Sequence, residues 1–150
     1  MSISSVNVLD FIRANTIFHS EMKYNIARKS FDLKPYKNTE PGIYFILDNA
    51  DILKIGKAEG KLGLKGRIAT YRTRLVKQYE TGDATVILWN KTMTTTLNNK
   101  VLNMYLLPLE PRKIDYKGVE VEMLIARSLE HELSKLARSQ GNTMLLSGQD

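Results

Sequence analysis

Residues 41–72 read PGIYFILDNADILKIGKAEGKLGLKGRIATYR. Residues 42–48 and 51–56 are two short apolar runs rich in β-branched and aromatic side chains. Only Asn49 and Ala50 separate them, a spacing that predicts a tight hairpin of two strands lodged at a core. From about residue 62 to residue 79 the period changes. Leu64, Ile68, Tyr71 and Leu75 recur at spacings of three and four, which predicts a helix. Arg67, Arg72, Arg74 and Lys77 put positive charge along it.

Upstream, residues 4–15, SSVNVLDFIRAN, predict a helix capped by Ser4 or Ser5, with Val8, Phe11 and Ile12 on one face. Residues 20–31, SEMKYNIARKSF, predict a second helix with Met22 and Ile26 inward, ended at Lys34-Pro35. Downstream, a turn leads into a strand expected over residues 85–89. Residues 92–109 read either as a helix from Leu97 or as a further strand, closed by Pro108 and Pro111. A last helix is expected over residues 119–138, with a stripe of Ile125, Leu129, Leu133 and Leu136 and a stop at Gly141. The Met144-Leu145-Leu146 tail is placed to pack back on the core. The expected architecture is α+β: a small central antiparallel sheet of about three strands flanked by helices over residues 41–150, with an N-terminal helical extension over residues 1–40.

The 150 residues carry a formal charge of +6, which points to a polyanionic partner. There is no cysteine, so disulfides, thiolate metal sites and thiol catalysis are excluded. His19 and His131 lie far apart, which argues against zinc. The opening MSISSVNVLD lacks the pattern of a signal peptide, and no apolar run is long enough to span a bilayer. A cytoplasmic protein with no membrane association is expected.

Several side chains in this frame can carry chemistry. Tyr44 and Lys54 sit on paired strands whose same-face residues lie side by side. A lysine in an apolar strand must reach solvent or face an anion, and an ammonium beside a phenol favours the phenolate. The stretch GKAEGKLGLKG is not a triphosphate-binding loop: only three residues separate Gly56 from Gly60, and Leu62 follows Lys61 where a hydroxyl is needed. Arg67 and Tyr71, four apart, share a helix face, and a guanidinium matches phosphate oxygens. Of the acids Glu120, Glu122, Glu130 and Glu132, an ideal wheel puts Glu122 within the apolar stripe and Glu130 at its edge. An inward carboxylate needs a partner or a hard cation. The plainer alternative starts the helix after Glu122 and leaves all four acids in water, as it leaves His131.

The order of these residues resembles the GIY-YIG nuclease superfamily. Gly42, Ile43 and Tyr44 form the first signature. Lys54, Ile55 and Gly56 stand at the second, with lysine in place of tyrosine, as in certain restriction enzymes. Arg67 matches the family's helix arginine and Tyr71 the His or Tyr one turn later. ARSLEHEL, residues 126–133, resembles an Ala-x-x-Leu-Glu-x-x-Leu pattern, and Asn142 follows twelve residues after Glu130. The resemblance implies an endonuclease that hydrolyses DNA with Mg2+ or Mn2+. Tyr44 would take a proton from water, Lys54 would favour its phenolate, Tyr71 would hold the water and Arg67 would offset phosphate charge. Glu130, or alternatively Glu122, would bind the metal, and Lys57, Arg72, Arg74 and Lys77 would contact DNA. A catalytically inactive nucleic-acid-binding protein with the same fold is the alternative.

Overall fold

The computed structural model describes residues 6–147. In chain order they form α1 (Val8–Asn15), β1 (Ile17–Asn25), β2 (Ser30–Asp32), β3 (Gly42–Asp48), β4 (Asp51–Ala58), α2 (Gly63–Ala69), a π-helical turn (Thr70–Arg74), α3 (Leu75–Glu80), α4 (Ala84–Thr94), β5 (Val101–Pro108), β6 (Arg112–Tyr116), β7 (Val119–Met123) and α5 (Ala126–Ser139). The main sheet has five strands in the order β2-β1-β5-β3-β4, and β6 and β7 form a separate hairpin. Every pairing is antiparallel.

The predicted hairpin is the spine of this sheet. β3 lies between β4 and β5, so both its faces need cover, and residues 42–47 are buried without a break. That is why GIYFILD is apolar throughout rather than alternating. Tyr44 and Ile46 join Leu64, Ile68, Tyr71, Val86 and Trp89 on the face covered by α2, α3 and α4. Ile43, Phe45 and Leu47 face the other way, against Val8 and Ile12 of α1 and Leu133 and Ala137 of α5. Asn49 takes a positive φ of 52° at the two-residue turn, which asparagine tolerates. The register slips one residue along, where Leu47 pairs with Ile52 but Ile46 pairs with Lys54. Leu53 is the extra residue of a β-bulge. The bulge lets Ile52 and Ile55 both face α5 while Lys54 and Gly56 share the face of Tyr44.

Three expectations are corrected. The helical extension over residues 1–40 is helical, among the described residues, only at α1; residues 20–31 hold the end of β1, a turn over residues 26–29 and the start of β2, and the main sheet has five strands rather than three. In β1 Ser20 and Met22 are buried while Glu21 and Lys23 are exposed, a period of two; Ile26, expected inward, lies in the turn after β1 and is 55% exposed. Residues 85–89 are not a strand but lie within α4. The Asp83 side chain accepts hydrogen bonds from the Thr85 and Val86 amides, and this cap overrides the β-branched run that follows. Residues 119–138 are not one helix. Val119, Val121 and Met123 alternate with Glu120 and Glu122 in β7, and α5 begins at Ala126.

The open choice for residues 92–109 resolves to the central strand β5. Ser4 and Ser5 lie outside the described residues; the α1 cap in the structure is Asn7, whose side chain accepts from the Asp10 amide at 3.0 Å. Residues 62–79 are helical, broken by the π turn. Gly141, with φ 88°, follows α5. The tail does return to the core: the Met144 amide donates to Ile52 O at 3.1 Å, the Leu146 amide to Leu53 O at 2.9 Å, and Met144 and Leu146 are buried. No helix among the described residues is long and apolar enough to cross a membrane.

Candidate active site

Tyr44 is placed by two glycines. Gly56 faces it across the β3–β4 ladder, and the hydroxyl end of the phenol ring lies over that bare backbone. A Cβ at Gly56 would overlap the ring and hydroxyl of Tyr44. Gly42 lets β3 approach β5 and Leu64 of α2; a Cβ there would meet the Leu107 carbonyl and the Leu64 side chain. Both signature glycines thus serve close approach. Gly56→Ala is expected to lower unfolding stability by about 1–3 kcal/mol, the usual cost of overpacking, and to displace Tyr44. Thermal denaturation and tyrosine NMR shifts check this; an unchanged melting temperature with unchanged shifts would contradict it.

Tyr71 enters from the helical side. The π turn at Thr70–Arg74 carries it, and wide turns of this kind are frequent at functional sites. Its ring stacks on Trp89 at 5.1 Å and meets Phe31 and Tyr44 edge-on. Trp89 is itself fixed by an Nε1 hydrogen bond to Leu146 O at 2.6 Å. The outcome is a buried contact of 2.8 Å between the Tyr44 and Tyr71 hydroxyls. The Lys54 ammonium stands 5.5 Å over the Trp89 ring. These side chains, with Arg67, Thr70, Gln78 and Asp83, line a cleft of about 200 Å³. Arg67 lines this cleft and is exposed to solvent.

The two phenols are not equivalent. Burial pushes the Tyr44 pKa up, while the Arg67 charge and the Tyr71 hydrogen bond pull it down and the Glu130 charge raises it. Burial pushes Tyr71 well above the usual phenol value, and the neighbouring Tyr44 raises it further. Burial thus raises both phenols and the Arg67 charge opposes that rise at both, while either hydroxyl can donate in the 2.8 Å contact between them.

Glu130 lies on α5, half-buried, and its charge is felt at Tyr44 although α5 packs on the opposite face of the sheet. α5 packs against β4, the edge strand of the sheet, and β4 pairs with the strand that carries Tyr44. Glu130 borders a shallow depression with Lys57, Arg127, Ser128 and exposed His131. Asn142 braces α5 against β4: its Oδ1 accepts from the Ile52 amide at 2.9 Å and its Nδ2 donates to Ala137 O at 3.0 Å. Among the described residues no three His, Cys, Asp or Glu side chains gather into a metal site. Glu130 as a single carboxylate fits a hard cation that keeps most of its shell as water and phosphate oxygen.

The structure thus brings Tyr44, Lys54, Arg67 and Tyr71 to one cleft, with Glu130 within electrostatic reach. It does not bring Glu122 there. That residue is exposed on β7, opposite Lys113. The basic residues disperse. Lys57 is beside Glu130. Arg74 shares a groove with Arg67, Thr70 and Lys61 next to the cleft, and Lys77 is exposed on α3. Arg72 is committed to the fold, its Nε donating to Leu33 O at 3.0 Å. Trp89 is the wall that sequence reading missed. Had residues 84–94 been read as a helix, Val86, Trp89 and Met93 would have fallen on one face and pointed to it.

No protein-family profile and no curated protein matches the chain. Its fold is similar to that of bacteriophage T4 EndoII. A point-mutant structure of that protein superposes with a TM-score of 0.62 at 18% identity, covering 87% of this chain and 95% of that one. The restriction endonuclease HPY188I in complex with product DNA gives a TM-score of 0.48 at 14% identity, covering 100% of this chain and 98% of that one. The second similarity is too loose to bear on the fold; the EndoII superposition establishes it.

Proposed function

We propose that the protein is a divalent-metal-dependent endonuclease of the GIY-YIG type that hydrolyses DNA phosphodiester bonds. The observation that carries this reading is the buried Tyr44–Tyr71 hydroxyl pair, opening on a cleft that Lys54 and Arg67 line. The similarity in fold to EndoII, an endonuclease, supports it, as does the charge of +6. DNA is the proposed partner.

In this reading the roles of a hydrolysis are divided between the cleft and Glu130. Tyr44, as phenolate, takes a proton from water as the water oxygen adds to phosphorus and the bond to the leaving oxygen breaks. Tyr71 donates to the Tyr44 oxygen and holds it in place. Arg67 offsets charge that builds on the phosphate, and Lys54 adds a positive charge at the cleft wall. Glu130 would hold a magnesium or manganese ion, and such an ion would supply Lewis-acid stabilisation of the leaving oxygen. Arg74 and Lys77 contact the sugar-phosphate backbone, with Lys57 near the metal side. Such contacts position DNA without reading its sequence.

Because the Tyr44 pKa is raised above 10, the phenolate is the minor form at neutral pH and its fraction grows as pH rises. The single-turnover cleavage rate with magnesium should therefore climb about tenfold per pH unit between roughly pH 7 and 9. A flat profile would remove Tyr44 as the base. DNA binding with no cleavage at any pH would leave a nucleic-acid-binding protein on a nuclease fold.

A further inference from the structure

α5 ends at Ser139, and the chain turns back at Gly141 to run along the start of β4. Residues 143–147 are fastened there at three successive points. The Thr143 amide and hydroxyl donate to the two carboxylate oxygens of Asp51 at 2.9 and 2.7 Å. The Met144 amide donates to Ile52 O at 3.1 Å, and the Leu146 amide to Leu53 O at 2.9 Å. The segment thereby passes from one face of the sheet to the other. Met144 is buried in the core that α1 and α5 cover, Leu146 in the core that α2, α3 and α4 cover. Its far end reaches the cleft, where Leu146 O accepts from Trp89 Nε1 at 2.6 Å. A buried indole N–H needs such a partner, and this bond fixes the rotation of the ring. Trp89 stacks on Tyr71 with 14° between the ring planes, so the plane of one sets the plane of the other. Tyr71 in turn meets the Tyr44 hydroxyl at 2.8 Å, and the Lys54 ammonium stands 5.5 Å over the Trp89 ring.

We propose that residues 143–147 are a positioning strap for the cleft, acting through the Leu146 carbonyl and the Trp89 ring on Tyr71. Leu146 and Trp89 move no proton; they are positioning residues that fix where the Tyr71 hydroxyl meets Tyr44. The strap leaves α5, so one short stretch of chain ties the helix that carries Glu130 to the wall that holds Tyr71. A small misplacement that originates far from the reacting atoms can cost about a hundredfold in rate. The inference rests on the nuclease reading for its kinetics and not for its geometry.

Trp89 is the only tryptophan, so the emission of the full chain reports on this ring alone. Leu146→Pro removes the amide that donates to Leu53 O and displaces the carbonyl that holds Trp89. It should shift the emission to longer wavelength and lower the single-turnover rate of the folded protein about ten- to hundredfold, with DNA affinity in EDTA unchanged. Leu146→Ala keeps both backbone hydrogen bonds; it should melt earlier but hold the wild-type emission and rate. Trp89→Phe serves where the proline variant does not fold. It keeps a ring against Tyr71 and loses the N–H donor, so it should lower the rate to a similar extent and move the ring NMR signals of Tyr44, one step beyond Tyr71. A tail that only fills the core would leave emission and rate per folded molecule at the wild-type level in both Leu146 variants. That pattern would overturn the proposal, and so would a Trp89→Phe variant with wild-type rate and wild-type Tyr44 signals. Should the wild type cleave no DNA, the nuclease reading fails, and the emission of Leu146→Pro with the Tyr44 signals of Trp89→Phe decides the strap: shifted signals support it and unshifted ones overturn it.

Discussion

Tyr44→Phe and Arg67→Ala should each lower the single-turnover cleavage rate by about a hundred- to thousandfold, the usual cost of one lost charge-stabilising group. Their side effects should differ, and the difference is informative. Tyr44→Phe keeps the ring over Gly56 but leaves the buried Tyr71 hydroxyl without its 2.8 Å partner, so a loss of about 1–3 kcal/mol of stability is expected alongside the lost rate. Arg67 is exposed, so Arg67→Ala should leave the melting temperature close to wild type. Near-wild-type turnover in either folded variant would remove that residue from the proposed chemistry.

Glu130→Gln is expected to abolish metal-dependent cleavage while DNA binding persists. Glutamine keeps the size of the side chain and removes the charge that a hard cation needs. Glu130 is the carboxylate whose charge acts on Tyr44, whereas Glu122 is exposed on the projecting hairpin. Glu122→Gln should therefore cleave at nearly the wild-type rate. Cleavage assays on both variants, with binding measured separately, check the pair. The reverse ranking would move the metal role to Glu122. Full activity in both would leave the proposed mechanism without a metal ligand.

The parts of this fold that could be read from sequence are those whose pattern is set by burial on both sides or by local turn chemistry. β3 is apolar throughout because it is central, the Asn49-Ala50 turn has the right length, and Leu64, Ile68, Tyr71 and Leu75 repeat at helical spacing under the sheet. The misread parts depend on distant partners. β1 is a strand because β5, about eighty residues later, pairs with it from Ile17 to Lys23. Taken alone, Met22 and Ile26 fit a helix. In α4 a single capping aspartate outweighs the strand preference of Thr85, Val86 and Ile87. In β7 the alternation of Val119, Val121 and Met123 was absorbed into the leucine stripe of the helix behind it. Residue order suggested Tyr44, Lys54, Arg67 and Tyr71 as a group, and the structure places them in one cleft. The bulge at Leu53, which sets where Lys54 stands, has no such local signal and follows from strand register. The Trp89 wall, which sets where Tyr71 stands, is legible only once the Asp83 cap marks residues 84–94 as a helix.

The most direct measurement is incubation of the purified chain with supercoiled plasmid, phage DNA and modified DNA, with magnesium or manganese and in parallel with EDTA. The account predicts nicked or linear products with either metal and intact DNA with EDTA, with the products lost again in Tyr44→Phe. Intact DNA of all three kinds in the presence of both metals would contradict it, as would cleavage that continues unchanged in EDTA.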